Sequence, residues 1–149
     1  MSKSKDRTRT VRILARIVVG IGVVFMLAGV FTWGAVSAQL EAENIVVSDD
    51  ASRFAGQPVN GPLTAYEQAN VINDHALAAT GGKTYAELDR EDPARQTAMT
   101  ASFLRASLFT SVVAFGVAAM AFGIGIVFIL VGFALLQVVR KPEVAEEVG

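Results

Sequence analysis

The stretch LFTSVVAFGVAAMAFGIGIVFILVGFALLQVV, Leu108 to Val139, runs 32 residues without a charged side chain, between Arg105 on one side and Arg140-Lys141 on the other. It reads as a membrane span. At ~1.5 Å of rise per residue such a helix would reach ~48 Å, against a hydrocarbon thickness of ~30 Å, so it is expected to tilt or to project at one end. A second run, Ile17 to Val36, gives 20 uncharged residues, a length that just crosses a bilayer. Phe31 and Trp33 near its far end suit the aromatic belt of a membrane interface. Val36-Ser37-Ala38 would also serve as a signal-peptide cleavage site. Signal-peptide apolar cores run only ~7 to 15 residues, so the length favours an uncleaved anchor.

Composition and charge agree with two spans. Of 149 residues, 52% are hydrophobic, and the excess sits in these two blocks. The formal net charge of −1 hides an asymmetry. Residues 1–16 hold six cations (Lys3, Lys5, Arg7, Arg9, Arg12, Arg16) against Asp6, for a net +5. Residues 38–102 hold ten acids against four cations, for a net −6. Lys and Arg keep the flank of a span in the cytoplasm, so both termini are expected inside the plasma membrane and the acidic middle outside. The basic tail would lie along anionic headgroups, at about 1 kcal/mol per cation. A nucleic-acid arm is the sharper reading of the same residues, but topology alone accounts for them and no nucleic-acid partner is expected. There is no cysteine, which excludes disulfides and thiolate metal sites.

Between the spans the local signals are mostly helical. Leu40 and Glu41 continue the first helix. Asn44 to Ser48 is β-branched and strand-like, and Asp49-Asp50 followed by Gly56, Pro58, Asn60, Gly61 and Pro62 marks an irregular loop. Thr64-Ala65-Tyr66-Glu67 has capping-box spacing for a helix whose Ala69, Ile72, Ala76 and Ala79 share a face, and Gly81-Gly82 ends it. Thr84 to Glu87 repeats that spacing and predicts a short helix to about Arg90. Asp92-Pro93 opens the last helix, with Asp as cap and Pro in the first turn, and no stop follows before Val139. Pro142 to Gly149, with three glutamates and no apolar face, reads as a disordered tail.

Chemistry is sparse. His75 is the single histidine, so a nitrogen or sulfur metal site is not expected. Oxygen-only calcium binding by Asp49, Asp50 and Asp74 stays open. The acids from Glu87 to Asp92 lack the alternating spacing of a calcium loop, and Gly81-Gly82-Lys83-Thr84 lacks the earlier glycine of a phosphate loop, because position 77 is Leu77. Neither uncharged run contains a charge, which argues against a proton relay or ion pathway. No catalytic residue and no cofactor are expected.

The segments Gly82-Lys83-Thr84-Tyr85-Ala86-Glu87-Leu88-Asp89-Arg90-Glu91-Asp92-Pro93 and Ser102-Phe103-Leu104-Arg105-Ala106-Ser107-Leu108-Phe109 resemble a family of small, uncharacterised actinobacterial two-span membrane proteins. The resemblance covers most of the chain between the tails. Such proteins are sometimes labelled as an aromatic ring-opening dioxygenase subunit. An extradiol iron site needs two histidines and a carboxylate, and this chain has one histidine, so the resemblance implies no activity and supplies no site residues.

The chain therefore reads as an all-α membrane protein, an antiparallel two-helix transmembrane hairpin with a small, mostly helical extracytoplasmic cap. Its parts are a basic tail (1–16), a first span (17–37), an acidic outer segment (38–102), a second span with an outer extension (103–139) and a C-terminal tail (140–149). The expected function is a non-catalytic structural or accessory subunit of a cell-envelope membrane assembly, with lipid and a membrane-protein partner or a second copy as its contacts. The alternative is an anchored sensor that binds a small ligand or metal in a pocket lined by Phe54, Tyr66, His75 and Tyr85. Small residues recur every seven positions in both spans: Ala15, Gly22 and Gly29 in the first, Ala118, Gly125 and Gly132 in the second. A seven-residue period returns them to one stripe of a helix, where small side chains let backbones approach in lipid. These six are the expected helix-packing residues, with Phe25, Phe122 and Phe128 turned mainly away from the seam.

Overall fold

A computed structural model describes residues 2–140, and three helices carry nearly all of its regular structure. They are α1 (Ser2–Ala42), α2 (Pro62–Ala79) and α3 (Ala94–Arg140). α1 and α3 are both long and apolar enough to cross a membrane. The basic stretch before Ile17 is helical from Ser2 and continuous with the first apolar run, so it is not a separate element. The expected C-terminal tail beyond Arg140 falls outside the described residues.

Contacts divide the described residues into two units. One holds the residues up to Phe31 and those from Ala118 onward, the other Thr32–Val117. The first unit is a helix pair. The second contains α2, the loops, the last turns of α1 and the first turns of α3, around a core of Leu40, Val47, Val59, Ala65, Ala69, Leu108 and Phe115. Trp33 meets Phe115 edge-on at 4.7 Å between ring centroids, and Tyr66 meets Phe109 at 5.8 Å.

α1 ends where Asn44 takes a positive φ of 51° and its side chain donates to the Ala42 carbonyl, the helix-terminating use of Asn. The strand expected at Asn44 to Ser48 shrinks to one antiparallel bridge, Val46 to Pro58. Pro58 has no N–H to extend a ladder. The flanking bonds are still made: Val47 N–H donates to the Gln57 carbonyl, Gly56 N–H to Val47 and Val59 N–H to Ile45, each at 2.9 Å. They point Val47 and Val59 inward, and both are essentially buried.

α2 begins three residues earlier than its capping spacing implied. Gly61 is the N-cap and Pro62 the first helical residue, where a fixed φ favours the helix and the missing N–H costs nothing. Thr64 is then the third helical residue, and its Oγ1 accepts from the N–H of Gly61 at 3.2 Å. Glu67, released from a capping role, instead accepts from Ser52 Oγ at 2.8 Å and from the Arg53 N–H at 3.1 Å, which ties the loop to α2. Gln68 does the same deeper in, taking the Ser48 N–H at 2.9 Å. The buried face of α2 is Ala65, Gln68, Ala69 and Val71, displaced toward the N-terminus from the expected stripe, so that Ala79 is exposed. Gly81 ends the helix at φ +64° and Gly82 N–H donates back to Leu77 at 2.7 Å.

The short helix expected from Thr84 does not form. Glu87 reaches back to the Thr84 N–H and Oγ1 as the spacing implied, at 2.8 and 2.7 Å, but turns follow. The Arg95 guanidinium takes the Leu88 carbonyl at 2.6 Å and lies 4.1 Å over the Tyr85 ring, which holds the chain in the turn and buries Leu88. Asp92 Oδ1 then accepts the Ala94 N–H at 2.8 Å and α3 starts there, one residue after Pro93.

Candidate functional site

The helix-packing residues come together. Ala15, Gly22, Gly29, Ala118, Gly125 and Gly132 are all buried, although most of the side chains around them are exposed. A methyl placed on Gly22 would stand 2.7 Å from the Gly125 carbonyl oxygen, and one on Gly125 would stand 2.6 Å from that of Gly22. One on Gly29 would meet the Ala118 carbonyl oxygen at 2.6 Å, and one on Gly132 would meet that of Ala15 at 2.9 Å. Numbering falls along one helix as it rises along the other, so α1 and α3 run antiparallel through this unit with backbone against backbone. Gly20, Gly116 and Gly123 have nothing within 4 Å of the same position, which separates seam glycines from the rest. Phe25, Phe122 and Phe128 flank the seam, each with a little over a third of its surface uncovered. Phe122 Cβ lies 3.0 Å from the site of a Gly29 methyl, and Phe25 and Phe128 meet edge-on at 6.1 Å beside the seam. Rings on the seam's flanks recover contact area that glycine gives up.

In the other unit His75 Nε2 lies 2.6 Å from Asp50 Oδ2, joining α2 to the loop. Both side chains are more than half exposed, at 56% and 62%. The hydrogen bond from His75 lowers the Asp50 pKa from its ordinary value. A carboxyl whose pKa is lower folded than unfolded adds stability above its unfolded pKa, and this is lost as pH falls through the folded one. Asp50→Asn is therefore expected to flatten the loss of melting temperature as pH falls below about 4, measured by an acid series of thermal melts. At pH 7, His75→Ala should move the melting temperature by no more than ~2 °C, as an exposed substitution does.

Asp50 and Asp74 line a recess of about 250 Å³ with Glu67 and His75, while Asp49 lies outside it. Among the described residues no three His, Asp or Glu side chains converge as a metal site would require. An open groove of about 490 Å³ runs between α2 and α3, lined by Ile72, His75, Ala76, Thr97, Ala101 and Leu104 among others. Of the four residues expected to line a ligand pocket, His75 lines this groove and Tyr85 a smaller cavity between α2 and α3, while Phe54 and Tyr66 line neither. Tyr66 is spent on Phe109, Tyr85 on Arg95, and Phe54 packs against the core from the loop. Residues given no role from sequence are Gln68, which bonds to Ser48 in the loop, and Arg105, whose guanidinium lies 5.7 Å from the Phe109 ring on the same helix. No family model matches the chain, and neither a curated protein nor a solved structure is similar to it.

Proposed function

We propose that this chain is a non-catalytic, two-span protein of the plasma membrane, an antiparallel hairpin with both termini in the cytoplasm and residues 38–102 forming an extracytoplasmic cap. The carrying observation is where the apolar side chains point. In the most apolar 18-residue stretches of α1 and α3 only 17% and 11% of residues are buried, far below the burial of a soluble protein's core helix. Val24, Leu27, Val127 and Leu130 project from the pair with more than half of their surface uncovered. Exposed apolar area on this scale needs lipid or another membrane helix against it. Charge supports the orientation, with net +5 before the first span and net −6 between the spans.

As a subunit, the hairpin presents a rigid pair to a partner in the bilayer and a polar cap outside it. The reading is tested by cysteine labelling in intact cells, since the chain has no cysteine of its own. Asn60→Cys should react with an impermeant maleimide and Ser4→Cys only after lysis. Labelling of Ser4→Cys in intact cells, or release of the protein from membranes by carbonate, would overturn the proposal.

A further inference from the structure

Two segments far apart in the chain, around Lys83 and around Arg105, meet at a cavity of about 50 Å³ between α2 and α3. Its polar lining is Asn73, Lys83, Thr84, Tyr85, Ser102 and Arg105, and no carboxylate is among its lining residues. Two cations thus share one small cavity at the border of a segment whose net charge is −6. Arg105 is the unusual one. Its Nε is buried with no hydrogen-bond partner among the described residues, and no carboxylate pairs with its guanidinium. Its described neighbour is the Phe109 ring, 5.7 Å from Cζ. A ring face attracts the charge but leaves the planar fork of N–H donors free.

The other polar groups narrow what the cavity can hold. Thr84 Oγ1 already donates to Glu87 and Ser102 Oγ to the Ala98 carbonyl, while Asn73 Nδ2 has one N–H directed to Asp74 and one to spare. Glu87 is tied to Thr84 and lies outside the lining; its lowered pKa owes most to the Thr84 hydrogen bonds and least to Lys83. The uncommitted groups are therefore two cations, an amide N–H and the Tyr85 hydroxyl, every one of which can donate. A carboxylate or phosphate matches such a fork in two parallel bonds, and Arg is the side chain that gives this geometry. The volume admits one such group and nothing of nucleotide size.

We propose that this cavity binds a single oxyanion of the phosphate class, with Arg105 as the bidentate donor and Lys83 as the second positive charge. The phosphate comes either free from solution or from a lipid headgroup, and the experiment separates the two. The full-length protein, purified in a phosphate-free maltoside detergent, is titrated with inorganic phosphate by calorimetry, and its co-purifying lipid is counted by native mass spectrometry. Binding at one site per chain is expected, weakened about tenfold or more by Arg105→Gln and by Lys83→Gln, as loss of a charged hydrogen bond implies. Arg90→Gln, an exposed cation away from the cavity, should leave it unchanged. If phosphate is silent but one phospholipid per chain co-purifies and is lost in both variants, the site stands with a headgroup as its source. Lys83→Gln, an exposed loop change, keeps the test decisive should Arg105→Gln misfold. Absence of both ligands from the wild type, or equal binding by wild type and Lys83→Gln, would overturn the site.

Discussion

Gly125→Leu is expected to lower the melting temperature of the detergent-solubilised protein by about 10 °C. The first carbon of the new side chain would sit 2.6 Å from the Gly22 carbonyl oxygen and 2.7 Å from both the Met26 nitrogen and Cγ. Of these only Met26 Cγ can swing aside, so the helices must separate. Overpacking costs about 1–3 kcal/mol even where neighbours are side chains, and backbone neighbours put this case at or above the upper end. For a chain of this length each kcal/mol is worth ~2–4 °C. Gly116→Leu provides the contrast, because its added atoms enter open space and leucine is the better helix former by roughly 0.5–1 kcal/mol. Its melting temperature should hold or rise. Thermal melts of the two variants giving equal losses would mean that the seam does not hold the pair together.

Val47→Asp should undock the loop between α1 and α2. Val47 is fully buried, and the loop's contacts with α2 close over it through Glu67 and Gln68. An uncompensated charge there costs about 3–5 kcal/mol. Arg53 lies exposed in that loop, so trypsin reports the opening directly. Cleavage after Arg53 should quicken by about two orders of magnitude when opening is fast relative to cutting. Val46→Asp, one residue away on the exposed side, should cut at the wild-type rate. Equal rates for the two variants would show that the loop is not held by its buried valines.

The parts of this fold that a reader could take from the sequence are those set by length and period. Thirty-two uncharged residues and a seven-residue recurrence of small side chains need no partner to be seen. What failed were local signals read without their neighbours. Thr84 and Glu87 make the bonds their spacing implies, yet Arg95, eleven residues after Thr84, decides that a turn follows. Pro62 counted as loop punctuation, although a proline before Thr64 was equally a first helical residue. The Asp50 to His75 pair spans 25 residues, and Lys83 and Arg105 share a cavity across 22. Neither approach leaves a periodic trace, because each depends on how α2 packs beside another element. Phe25 and Phe128 meet edge-on beside a seam that carries no bulk of its own, a contact between elements that periodicity does not announce.

The close approach of Gly22 and Gly125 has a chemical meaning as well as a steric one. A methyl on either residue would replace an α-hydrogen, and the space it would occupy lies 2.6–2.7 Å from the opposing carbonyl oxygen. An α-hydrogen of each glycine lies on the side of the carbonyl oxygen that it faces, and the arrangement is reciprocal. Acyl chains offer no competing acceptor, whereas water would. The attraction between α1 and α3 is thus partly electrostatic in a region that contains no polar side chain. It should strengthen as the medium becomes drier, the opposite of what burial of apolar surface from water would do.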